Sequence, residues 1–227
     1  MGMALDTIVP WGRSFEEYVA MFGLTNTDLT KRILGCGDGP AGFNAALTAR
    51  GGTVVSLDPL YAFNKEQIRG RIAGTYQTVL DQVRANSHDY VWDVIPSIDA
   101  LGHVRMSAME TFLADFEAGR RADRYIAGEL PSLPFERGTF DIALSSHFLF
   151  LYSAHLSLEF HLQALNDMLR VAHEVRLFPL LTLDGFPSPH VPMVIERLSR
   201  QGHRAEIARV PYEFQRGGNA MLVVAPA

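Results

Sequence analysis

The 227-residue chain has room for one domain with an elaboration, and its 48% hydrophobic and 20% charged residues exclude wholesale disorder. Its 20 Lys and Arg against 25 Asp and Glu leave a net charge of −5, so no global field holds a polyanion and nucleic acid is disfavoured as the main ligand. The single cysteine, Cys36, excludes an internal disulfide and a thiolate metal site, and it suits a reducing compartment.

In chain order, Ser14 with Glu17 three residues later reads as a capping box, and Phe15, Val19 and Phe22 continue at helical spacing until Gly23. A short apolar run ending at Leu34 stops at Gly35-Cys-Gly-Asp-Gly39, and a helix is expected over 43–50. Residues 53–57 (TVVSL) form a β-branched, continuously apolar run, the mark of a strand buried on both faces. Strand, glycine turn, helix and strand make one βαβ unit, which implies a parallel sheet with right-handed crossover.

After Asp58 the rhythm breaks. Helical spacing marks 63–85 and 107–119, with an aromatic loop around Tyr90 and Trp92 between them, and 61–121 reads as a helical insert on the sheet's carboxyl edge. Alternation then resumes, with strands expected over 124–127, 140–144 and 174–181 and helices over 156–172 and 193–200. Two last strands, 205–214 and 220–224, are joined by Arg216-Gly-Gly-Asn219 as an antiparallel hairpin. Residues 1–227 thus read as a single domain with an amino-terminal helical flap over 1–30. Residues 1–13 lack the apolar core of a signal peptide, and Asp6 stands where an acylation signal after Gly2 wants Ser or Thr. The most apolar stretch, 148–165, is broken by polar residues, so no membrane association and a cytoplasmic location are expected.

The glycine loop admits two registers. Gly35-x-Gly-x-Gly39 directly follows a strand taken to end at Leu34, whereas Gly37-Asp-Gly-Pro-Ala-Gly42 matches the dinucleotide fingerprint. With the first register the chain resembles the class I S-adenosylmethionine-dependent methyltransferases over roughly 33–224, excluding the insert. Ile33-Leu-Gly-Cys-Gly-Asp-Gly is similar to the first motif of that family, Ser56-Leu-Asp58 to the second, the stretch from Tyr125 through Glu129 and Leu130 to the third, and Phe140-Asp-Ile-Ala-Leu-Ser145-Ser to the fourth strand. The resemblance implies a Rossmann-like α/β fold: a seven-stranded, mostly parallel sheet with one antiparallel strand and helices on both faces. It implies S-adenosylmethionine as cofactor, held by Gly35, Cys36, Gly37, Gly39, Asp58, Pro59, Glu129, Leu130 and Ser145. Asp58 would take the ribose hydroxyls and Glu129 would lie near the adenine amino group. Arg13 and Tyr18, on the flap, are candidates for the methionine end. One departure stands out: Ile33 occupies the position where the family usually has an acid, which leaves that end of the cofactor without a partner.

Methyl transfer from a sulfonium is an in-line displacement, so alignment and exclusion of water are the protein's main contributions. His147, just past the fourth strand, is the candidate base, with Tyr152 and His155 as further pocket residues. His155, Glu159 and His161 do not share a helical face, so no metal site is expected. Ser145-Ser-His-Phe148 departs from the Asn/Asp-Pro-Pro-Tyr pattern of exocyclic amine methylation, and with the negative charge this points to a small-molecule acceptor. Two other readings stay open: a nicotinamide-dependent oxidoreductase using Gly37 to Gly42 with Asp58, and a cofactor-binding protein without turnover.

Overall fold

The computed structural model describes residues 9–227. The part of the expected flap before Val9, and the Gly2 and Asp6 reading, lie outside the described residues.

The chain forms helix α1 (Phe15–Met21), strand β1 (Arg32–Cys36), α2 (Phe43–Ala49), β2 (Thr53–Leu57), α3 (Lys65–Ala85), α4 (Ile98–Arg121), β3 (Tyr125–Ile126), β4 (Phe140–Ser146), α5 (Leu158–Val171), β5 (Ala172–Phe178), α6 (His190–Arg200), β6 (His203–Arg209) and β7 (Ala220–Pro226). The seven strands make one sheet in the order β3-β2-β1-β4-β5-β7-β6. β1 pairs in parallel with β2 and β4, β3 with β2, and β5 with β4, while β7 runs antiparallel to both β5 and β6. This is the α/β sheet with one reversed strand that the motifs implied.

Both faces of the sheet are covered, and the strand period of two explains how. Leu34, Cys36 and Ala143 point to the face packed by α5 and α6, where they meet Leu165, Met168, Val194 and Leu198. Ile33, Ile142 and Leu144 point to the other face, where Tyr18, Met21 and Phe22 of α1 and the flanking turn meet Phe43 and Leu47 of α2. Ile33 is fully buried there, so the position that lacks the family's acid is a core position in this chain.

Three expectations shift. β1 continues through Cys36, with Gly35 and Cys36 paired to Ser56 and Leu57, so the turn starts at Gly37 and not at Gly35. The helix expected over 107–119 begins at Ile98, where the Ser97 side chain caps it. It packs against α2 and β3 and serves as the crossover helix from β2 to β3, so the elaboration proper is α3 with the loop that follows. A Cβ on Gly42 would press on the Ala108 carbonyl, which shows how closely α4 lies on the start of α2. Finally, β6 ends at Arg209, and residues 210–219 form a long loop that reaches the aromatic segment. There Val91 N donates to the Phe214 carbonyl (2.7 Å) and Arg216 N to the Asp89 carbonyl (2.8 Å). Among the described residues no helix is long and apolar enough to cross a membrane.

Candidate active site

The loop after β1 is shaped by backbone that only glycine adopts readily: Gly37 and Gly39 have φ of +70° and +52°. Gly37 N donates to the Leu57 carbonyl (2.9 Å), which ties the turn to the end of β2. The loop curls Asp38 inward over Gly35, and any Cβ on Gly35 would run into the Asp38 carboxylate. Tyr18 Oη donates to one Asp38 oxygen (2.8 Å) and Ser56 Oγ to the other (2.6 Å). Burial pushes the Asp38 carboxyl up to about 6; the two hydroxyls pull it back only in part, and the Asp58 charge adds to the rise. Asp38 was not among the expected site residues. An acid inside a glycine turn was the available signal, and its inward orientation depends on partners 18 and 20 residues away.

Asp58 does two things. As the cap of a short helical turn over Pro59–Ala62 it accepts from Leu60 N (2.8 Å), and its other oxygen accepts from Gly39 N (2.8 Å). Tyr61 Oη reinforces the brace by donating to the Gly39 carbonyl (2.7 Å). The ends of β1 and β2 are therefore locked together through one carboxylate. That carboxylate also faces a cavity of about 970 Å³ at the carboxyl ends of β1, β2 and β4, where open α/β sheets place ligands.

Of the expected residues, Arg13, Tyr18, Gly37, Gly39, Asp58, Pro59, Glu129, Leu130 and His147 line this cavity, with Glu129 exposed at its rim. Gly35, Cys36 and Ser145 stand outside its wall. Gly35 lies under Asp38, and the Cys36 side chain is fully buried in the core, where burial pushes its thiol well above the ordinary range. Ser145 points into the protein with its Oγ unpartnered, and its neighbour Ser146 lines the cavity instead.

His147 adopts φ +53°, held by its backbone N donating to the Phe178 carbonyl (2.7 Å). Its Nδ1 meets Ser146 Oγ at 2.9 Å, and its ring lies edge-on to Phe178. Burial, with the nearby Arg13 and Arg105 charges, holds the imidazole well below its usual pKa, so it is neutral at neutral pH. Tyr152 lines the cavity, whereas His155 is exposed. Glu159 is likewise exposed and His161 is buried against Phe150, so these side chains do not converge.

A second lobe extends between α3, α4 and the 210–219 loop, walled by Trp11, Val79, Val83, Tyr90, Leu101 and Phe214. Tyr90 faces it. Trp92 does not: it packs edge-on to Phe214 (5.4 Å between centroids), donates from Nε1 to the Ser87 carbonyl (2.9 Å) and stands outside the cavity lining. Arg105, from the middle of α4, also lines the cavity and donates from Nη1 to both oxygens of Glu17 of α1, whose Oε1 also accepts from Tyr212 Oη (2.9 Å).

No family model matches the chain. Among solved structures, the chain is similar to a TehB-like S-adenosylmethionine-dependent methyltransferase from Corynebacterium glutamicum, at 13% identity, covering 94% of this chain and 88% of that one, with a TM-score of 0.47. A putative S-adenosylmethionine-dependent methyltransferase from Methanococcus maripaludis is similar at 12% identity over 94% and 83% of the two chains, with a TM-score of 0.41. In sequence, the uncharacterized protein MJ0045 of Methanocaldococcus jannaschii is 30% identical over 220 residues, 96% of each chain. By that identity over nearly its whole length the chain belongs to the same family as MJ0045, and by its own strand order and glycine loop it carries the Rossmann-like fold of the class I S-adenosylmethionine-dependent methyltransferases.

Proposed function

We propose that the protein transfers a methyl group from S-adenosylmethionine to a small-molecule acceptor. The observation that carries this reading is the placement of a positive-φ glycine loop, Asp38, Asp58 and His147 on one cavity that continues into an aromatic lobe. The residues present fit the cofactor. Each Asp58 oxygen already takes one backbone N–H and keeps a lone pair for a ribose hydroxyl. Glu129 at the rim, beside Leu130, suits the adenine amino group. Asp38 supplies the carboxylate that Ile33 does not, inside the cavity and suited to the cationic methionine end.

When bound, the cofactor supplies an electrophilic methyl on a sulfonium. The chain's contribution is to align the acceptor and keep water out, for which the aromatic walls of the second lobe serve. With Nδ1–H donating to Ser146 Oγ, His147 keeps the Nε2 lone pair and accepts the proton of a hydroxyl or amine acceptor there. Because its pKa lies below the usual range, that lone pair stays free across neutral pH. His147→Asn is therefore expected to lower turnover with cofactor affinity nearly intact, and the wild-type rate should show no acid limb near pH 6.5. Loss of cofactor binding with turnover unchanged at saturation would make His147 structural.

The nicotinamide reading gains from the turn's start at Gly37 and loses to β7, whose antiparallel pairing with β5 departs from an all-parallel dinucleotide sheet. A thermal-shift panel of S-adenosylmethionine, S-adenosylhomocysteine, NAD and NADP separates the two, since a ligand that binds only the native state raises its stability by mass action. Stabilisation by NAD alone would refute methyl transfer. Asp58→Ala should weaken S-adenosylhomocysteine by about 1.5–3 kcal/mol, the range for hydrogen bonds to a charged group. Unchanged affinity in a folded variant would remove the ribose role and leave Asp58 as a cap.

A further inference from the structure

We propose that Arg13 and Arg105 together bind a carboxylate of the acceptor, so that the substrate is a small, flat, apolar acid; this rests on the methyl-transfer reading. Three guanidiniums line the cavity: Arg71 is exposed and stacks over the Phe63 ring, and of the other two only Arg105 forms an ion pair, with Glu17, among the described residues. Arg105 is 1% exposed, and its Nε is buried without a hydrogen-bond partner among the described residues. Among the described residues the Nε of Arg13 is buried and unpartnered as well, and its side chain donates only to the Trp11 carbonyl. A guanidinium without an ion-pair partner, as Arg13 is among the described residues, offers N–H groups that a planar carboxylate takes two at a time. Consistent with that deficit, burial and the Arg105 charge lower the Arg13 guanidinium to about 10.

The location favours the acceptor over the cofactor as the source of the anion. Arg105 comes from α4, between the residues that wall the second lobe. The charge of Arg13 reaches the proposed base His147 and the rings of Tyr152 and Tyr90 on the cavity wall, as well as Tyr18. Trp11, Val79, Val83, Leu101 and Phe214 give that lobe a largely apolar, partly aromatic wall that suits a flat apolar body, with Thr75 and Gln215 as further polar lining.

The test measures binding of 4-hydroxybenzoate, cinnamate and indole-3-acetate, each beside its neutral amide, to the full chain with and without S-adenosylhomocysteine. At least one acid should raise the melting temperature where its amide does not. Arg13→Met removes a cation that no carboxylate pairs, so the variant should fold, and it should lose about tenfold or more in affinity for that acid. Its affinity for S-adenosylhomocysteine should stay within about threefold. Glu17→Gln should tighten acid binding severalfold, because Arg105 is then released from its ion pair and the negative charge near Arg13 is gone. Equal binding of acid and amide, or no binding of any acid, overturns the proposal. So does an Arg13→Met variant that loses S-adenosylhomocysteine but keeps methylthioadenosine, which lacks the carboxylate, because the anion is then the cofactor's. If S-adenosylhomocysteine fails to bind at all, methyl transfer falls, and acid binding without it still decides the role of Arg13.

Discussion

Replacing Arg105 with methionine should cost about 3 kcal/mol of stability, the low end of the range for breaking a buried ion pair by removing one partner. The pair joins α4 to α1 across 88 residues, with Arg105 1% and Glu17 7% exposed, and Tyr212 holds the same carboxylate from the β6–β7 loop. Methionine fills much of the arginine's volume, so the loss comes from a carboxylate stranded in the interior. Arg13 remains near Glu17, which keeps the loss at the low end. Burial alone would push the Glu17 carboxyl up, but Arg105 and then Arg13 outweigh it and the group sits below the usual range. A lowered carboxyl contributes stability above its ordinary pKa that disappears as pH falls through the folded value. In Arg105→Met burial raises the stranded carboxyl, so the variant should regain stability as pH falls and that carboxyl takes up a proton, and the double variant Glu17→Gln/Arg105→Met should recover most of the stability. Urea denaturation of the two single variants and the double measures the coupling directly. Equal losses in Arg105→Met and the double variant would show that the stranded charge is not the cause.

How far the sequence could be read depended on whether a feature was local. The Ser14–Glu17 capping box and the strand Thr53–Leu57 form as expected, because a cap needs three residues and a doubly buried strand only its own run of Val and Leu. The reversed β7 followed from the Gly217–Gly218 turn chemistry, although the connection is a longer loop whose shape is set by Asp89 and Val91. The start of α4 was missed because Gly102 and His103 interrupt the apolar spacing of its first turns. Gly102 is there because Tyr76 of α3 lies against it, a fact of packing. Arg105 reads in sequence as one more cation on a helix. Only the fold brings it to Glu17, and only burial shows that its Nε lacks an acceptor. Asp38 was visible as a member of the glycine motif, yet its role depends on Tyr18 arriving from α1 and Ser56 from β2. Motifs marked the chain's ligand-facing end, and long-range pairing decided which charges stand there.

Asp38→Asn should flatten the protein's stability profile between about pH 4 and pH 6. The native carboxyl titrates near 6 and the unfolded one in the ordinary range near 3.8, so within that window the native state holds the extra proton. Stability then falls as pH rises through the window, by about 1.4 kcal/mol per pH unit and about 3 kcal/mol in all. Asparagine cannot ionise, so the stability of wild type relative to the variant should drop by that amount from pH 4 to pH 7 and stay level above it. The offset is less favourable to the variant than the slope alone suggests. Tyr18 Oη and Ser56 Oγ both donate to Asp38, and the amide accepts on only one side, so one hydroxyl must turn at a cost of about 1 kcal/mol. The slope is therefore the readout, taken from urea denaturation of both proteins across the range. Ligand affinity should move the other way at pH 8: the variant should lose more affinity for S-adenosylmethionine than for S-adenosylhomocysteine, because only the former carries the sulfonium charge that a carboxylate attracts. Parallel stability profiles would place the Asp38 carboxyl in the ordinary range. Equal losses for the two ligands would move Asp38 away from the sulfonium and leave it as the inward brace of the glycine loop.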